Sequence, residues 1–203
     1  MKTVIVTGGI GSGKSAVCAM LRERGIPVYD SDSRTKSLYD KYPSLVENLE
    51  LALGQALKLP DSTLDRKKLA AVIFSDSSAR EKVEAVVYPF VLKDFKRWRS
   101  RYGKAPFVVL ESAVILSKPV FDGIADAVVL VDAPLELRLQ RISLRDGSSM
   151  DAALERVKAQ EEVPRDKVTE VIVNDSSPER LKAETERVFF DKNSYICKLV
   201  NTR

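Results

Sequence analysis

The feature that most constrains this chain is the octapeptide GGIGSGKS at residues 8–15. It matches G-x-x-x-x-G-K-[ST] in full, behind the apolar run of residues 2–7 (KTVIVT) and ahead of a helical pattern that starts near Lys14. Strand, glycine-rich turn and helix in that order open a parallel α/β sheet. Glycines let successive backbone amides turn inward around phosphate oxygens, and the helix N-terminus adds its positive end. The loop therefore predicts a cradle for a nucleoside triphosphate built from Gly9, Ile10, Gly11, Ser12, Gly13, Lys14, Ser15 and Ala16. Lys14 is expected to reach the β- and γ-phosphates, and Ser15 to bind Mg²⁺ through its hydroxyl. The motif specifies phosphate binding and leaves the fate of the phosphate open.

The rest of the chain continues the alternation. Ile26–Tyr29 reads as a second strand ending at Asp30 and Asp32, and further short apolar strands are expected at Phe107–Leu110, Ala127–Val131 and Glu170–Val173. Their β-branched, uninterrupted character suits a sheet covered on both faces. The expected fold is a three-layer α/β/α P-loop NTPase domain over residues 1–203, with a parallel five-stranded sheet. Residues 33–102 read as an inserted all-helical subdomain, suited to holding a substrate. In it, Ser44 with Glu47 and Ser78 with Glu81 look like capping boxes, a short helix covers 65–73, and a long helix runs to about Tyr102. Pro89 should kink that long helix or split it in two. Later, Ser148 and Asp151 can cap a helix running to about Glu161, with Arg156 and Gln160 four apart, and residues 138–165 read as a lid.

Composition excludes several chemistries. The chain has no histidine, so imidazole catalysis and histidine metal sites are ruled out, and its two cysteines form no CxxC pair. A net charge of +4, from 33 basic and 29 acidic residues, is too diffuse to argue for nucleic acid. No stretch approaches about 18 continuous apolar residues, and no signal-peptide pattern precedes the loop, so no membrane partner and a cytoplasmic address are expected.

Beyond the loop, Asp32 is the candidate to orient or deprotonate an acceptor hydroxyl, because open α/β sheets bind ligands beyond their strand ends; a turn or helix cap is the alternative. Glu111, ending a strong strand, could hold Mg²⁺ or serve as a cap or ion-pair partner. Arg138, Arg141 and Arg145 recur at spacings of three and four. They can clamp a phosphoryl group or form a solvated helix face, and Arg141 and Arg145 are the preferred pair because a polar loop follows. Asn174, directly after the last strand, could meet an adenine edge or be a turn residue.

Taken together, residues 3–187 resemble the dephospho-CoA kinase family. The resemblance rests on VTGGIGSGKSAV at the start, GIPVYDSD (25–32), LDRKKLAAVIF (64–74), the Arg145-Asp146 pair, RVKAQ (156–160) and VIVN (171–174). It implies ATP-dependent phosphorylation of the ribose 3′-hydroxyl of dephospho-CoA, with ATP and Mg²⁺, and a monomer or weak oligomer. It also implies that Asp32 is the base or hydroxyl-orienting group, that Arg141 and Arg145 meet the ATP phosphates, and that Asn174 contacts adenine. Three places depart from the family pattern. Ala16 replaces a usual threonine, Tyr88-Pro89 a common His-Pro pair, and ESAVILS (111–117) a D-x-P-L-L-x-E segment, so Glu111 keeps the first acid and Ser117 loses the second. Another small-molecule kinase on this scaffold, or a nucleotide-switch module, are the rival readings.

Overall fold

The computed structural model describes residues 1–202. The chain forms two compact units, Met1–Asp30 with the chain from Tyr102 onward, and Ser31–Arg101.

The first unit is built on five parallel strands, β1 (Lys2–Thr7), β2 (Val28–Asp30), β3 (Phe107–Glu111), β4 (Ala127–Asp132) and β5 (Glu170–Val173), in the order β2-β3-β1-β4-β5. Side chains alternate across a strand, so both faces can be read from the buried set. Val4, Val6, Phe107, Val109, Val129 and Val131 pack with α1 (Lys14–Glu23), α8 (Pro178–Phe190) and α9 (Tyr195–Asn201). The alternate residues Ile5, Val108, Leu110, Val128 and Leu130 are buried too, so the sheet is covered on both sides and the architecture is three-layered. β1 is the central strand. The chain leaves it toward β2 and β3 on one side, while β4 and β5 lie on the other, which is where doubly wound sheets bind ligands.

The second unit is helical: α2 (Ser31–Lys41), α3 (Pro43–Leu53), α4 (Arg66–Ser75) and α5 (Ser77–Arg99). Leu38, Leu45, Leu49, Leu69, Val83, Val87, Val91 and Phe95 form its buried set. Buried Asp94 accepts from Arg34 Nη2 at 2.8 Å and faces Lys41 Nζ at 3.5 Å, tying α2 to α5. The sequence gives no helical pattern for α2, because only Ser31 and Leu38 of its residues are buried and the rest is polar.

Several local expectations change. α3 starts at Pro43 with Tyr42 as its cap and no side-chain hydrogen bond, so Ser44 falls inside the first turn and the Ser44–Glu47 box does not form; proline there needs no N–H partner. α5 is capped by Asp76, which accepts from Ser78 N at 2.8 Å, instead of by Ser78. It also runs unbroken through Pro89. In the first unit, α6 spans Leu135–Asp146 and α7 spans Met150–Lys158. Ser149, not Ser148, caps α7 by accepting from Ala152 N, and the helix ends before Gln160.

Candidate active site

The phosphate loop leaves β1 and turns into α1 through a tight bend in which Ser12 N donates to Gly9 O at 3.1 Å. Gly13 caps α1 in the left-handed region at φ 101°. A side chain there would be strained, and its Cβ would lie 2.2 Å from Asn174 Nδ2. Lys14 opens the helix, and its ammonium folds back over the loop, donating to Gly8 O at 2.7 Å and Gly9 O at 3.3 Å.

Next to it, Ser15 Oγ donates to Glu111 Oε1 at 2.8 Å. The sheet register places Glu111 beside Val6 of β1 and Asp30 of β2, at the C-terminal edge of the strands. Glu111 is buried, and Arg22 Nη2 stands 3.7 Å from its other oxygen. Burial, with help from the Glu111 charge and hydrogen bond, pushes the neighbouring Cys18 thiol far above its ordinary range and leaves it inert. A hydroxyl and a carboxylate are hard oxygen donors that suit Mg²⁺. Among the described residues no group of three or more His, Cys, Asp or Glu side chains could hold a metal.

On the opposite side, Arg141 of α6 donates through Nη2 to both the backbone O and the Oδ1 of Asn174, at 3.2 Å each, and through Nη1 to Gly11 O at 3.4 Å. Asn174 is buried, and its Nδ2 donates to Ser12 O at 2.8 Å. Both ends of the Asn174 amide are thus engaged behind the loop, where they brace it. The loop backbone sits directly on this amide at Gly13.

The three arginines do not act as one face. Arg138 Nε donates to Ile10 O at 2.9 Å and Arg141 meets Gly11 and Asn174, whereas exposed Arg145 turns to Asp146, with Nε 2.8 Å from Oδ1. Arg156 also pairs with Asp146. Hydrogen bonds from Arg145 and Arg156 hold the Asp146 carboxyl down at about 2. Arg138, which lies farthest of the three from the polar loop that favours Arg141 and Arg145, is thus a loop contact. Gln160 is another: its Oε1 accepts from Ile10 N at 2.6 Å. The Arg156–Gln160 spacing suggested a shared helix face, but α7 ends at Lys158 and the two side chains go to different partners.

Asp32 lies in the first turn of α2, two residues beyond the end of β2, and is exposed. Tyr88 lies within α5. At position 117, the Ser117 hydroxyl donates to Glu161, whose other oxygen accepts from Lys118 Nζ at 2.7 Å. A carboxylate from a distant segment thus lies beside Ser117.

The family model for dephospho-CoA kinase (CoaE) matches residues 2–179. A dephospho-CoA kinase from Porphyromonas gingivalis is 43% identical over 161 residues, covering 79% of this chain and 78% of its own. One from Bacteroides fragilis is 31% identical, with 97% of each chain covered. Among solved structures, a crystal structure from Thermus thermophilus superposes with a TM-score of 0.77 at 35% identity, covering 93% of this chain and 96% of that one. The phosphate loop is common to many kinases, and it is this match across nearly the whole length that places the chain in the dephospho-CoA kinase family.

Proposed function

We propose that the protein transfers the γ-phosphoryl group of ATP to the ribose 3′-hydroxyl of dephospho-CoA, releasing CoA and ADP. The observation that carries this reading, beside the family, is the Ser15–Glu111 pair at 2.8 Å on the lip of a complete phosphate loop. That pair would hold Mg²⁺, which when bound neutralises charge between the phosphates. Lys14 shields the transferring group, and Arg141, braced by Asn174, adds fixed positive charge. Arg145 supplies charge from the lid, residues 138–165. Asp32 accepts the hydrogen bond of the attacking hydroxyl and aligns it, since phosphoryl transfer depends mainly on positioning. The helical insertion 33–102 holds dephospho-CoA. The partners are these two small molecules, with no nucleic acid, in a cytoplasmic monomer or weak oligomer; among the described residues no helix is long and apolar enough to cross a membrane. ADP release measured with and without dephospho-CoA tests the reading. ADP release dependent on dephospho-CoA supports it, and a rate indifferent to that acceptor, or satisfied by another alcohol, defeats it.

A further inference from the structure

We infer that Arg138 and Gln160 are positioning residues that set the phosphate loop by gripping Ile10 from both sides, so that Ile10 carries the loop instead of contacting the nucleotide. This rests on ATP binding at the loop, as proposed above. The Ile10 N–H donates to Gln160 Oε1 at 2.6 Å, and the Ile10 carbonyl accepts from Arg138 Nε at 2.9 Å. Two successive peptide units are thereby fixed from outside the loop. An N–H already given to Gln160 is not available to a phosphate oxygen, and the remaining loop amides must supply the cradle.

Packing supports the same assignment. A Cβ on Gly9 would lie 2.3 Å from Arg138 Nη2, so the guanidinium lies flat against the loop. A Cβ on Gly11 would lie 2.6 Å from the Arg138 carbonyl oxygen, so the first turn of α6 is seated on the loop backbone itself. The two grips come from chain segments on either side of α7, and neither residue belongs to the sheet that delivers the loop. Burial draws the Arg138 guanidinium down from its ordinary value, the nearby Asp132 charge opposes this, and it stays cationic.

The chemistry gives a direct test of hydrogen bond against charge. In Arg138→Gln the amide nitrogen Nε2 occupies the same position along the side chain as arginine Nε, so it can reach the Ile10 carbonyl without bringing a charge. ATP binding by calorimetry and steady-state kinetics are measured for the wild type, Arg138→Ala, Arg138→Gln, Gln160→Leu and the Ala/Leu double variant. Loss of either grip is expected to weaken ATP binding about tenfold, the scale of one hydrogen bond made by a charged or buried group. The KM for ATP should rise, with kcat and the KM for dephospho-CoA little changed. Arg138→Gln should recover most of the affinity, and the double variant should lose less than the product of the singles because both act on one residue. An Arg138→Gln protein as weak as Arg138→Ala, or an Arg138→Ala protein with a reduced kcat and intact ATP binding, would overturn the inference in favour of a charge acting on phosphate. Wild-type affinity in both single variants also overturns it. Should Arg138→Ala fail to fold, Gln160→Leu, beyond the end of α7, carries the same test. A wild-type protein that binds no ATP defeats the proposed function as well, which separates the two failures.

Discussion

The Ser15 hydroxyl is hydrogen-bonded at 2.8 Å to Glu111, a residue 96 positions later that ends the neighbouring strand β3. One residue belongs to the phosphate motif and the other opens the segment ESAVILS, yet together they form a pair of oxygen donors at the strand ends. Glu111→Gln keeps the size and the acceptor while removing the charge. It should raise the Mg²⁺ concentration needed for half-maximal turnover about tenfold or more, with little change in melting temperature. A Mg²⁺ titration of activity checks this, and an unchanged midpoint would leave Glu111 as an ion-pair partner of Arg22.

Lys14→Ala should reduce turnover to near background. Its ammonium donates to the Gly8 and Gly9 carbonyls across the loop, where the transferring phosphate would sit. The side chain is not part of the hydrophobic core, so thermal unfolding should barely move. Near-wild-type turnover at saturating ATP would remove Lys14 from the chemistry.

Asp32→Asn should leave ATP binding nearly intact and lower turnover by about 10²-fold or more, the scale of a positioned acid–base group. Asp30→Asn should cost less if Asp30 mainly supports the strand end. Turnover with both substrates saturating, set beside calorimetric ATP binding, decides. Wild-type turnover in Asp32→Asn makes the residue a cap, and lost ATP binding makes its role architectural.

Arg141→Ala and Arg145→Ala should each lower turnover more than stability. Arg141→Ala should also lose about as much as Asn174→Ala, with the double variant far from additive, because Asn174 Oδ1 and Arg141 Nη2 are partners at 3.2 Å. Additive losses would mean that the bracing contact carries no function.

The Arg145–Asp146–Arg156 cluster sets an acid limit. The Asp146 carboxyl is held at about 2, below its ordinary 3.8, by the hydrogen bonds of Arg145 first and then Arg156. A depressed carboxylate contributes stability that is fully present above the unfolded value near 3.8 and is lost as pH falls through the folded value near 2. Its side-chain carboxyl resonance should therefore titrate with a midpoint near pH 2, and turnover between pH 5 and 8 should owe none of its pH dependence to this cluster. A midpoint near 4 would mean that the arginines do not engage it in solution.

Local chemistry made the frame of the protein readable. The phosphate loop, the strands and the long helices have periodicities and turn residues that do not depend on distant partners. α2 has only Leu38 and Ser31 buried; α3 begins on Pro43 after Tyr42 with no side-chain cap, and α5 and α7 take Asp76 and Ser149 as caps where a second candidate, Ser78 or Ser148, stands close by. The candidate site divides along the same line. Lys14, Ser15 and the glycines were recognisable from a contiguous motif. The partners of Asn174 and Arg138 and the role of Gln160 were not, because they close contacts over sequence separations of 162, 128 and 150 residues, and such contacts leave no local pattern. The sequence by itself thus determined the phosphate loop and the parallel sheet that carries it. Only the tertiary structure decided which polar side chains brace that loop, because a buried hydrogen-bonding group takes its partner from whatever the packed helices bring within about 3 Å of it.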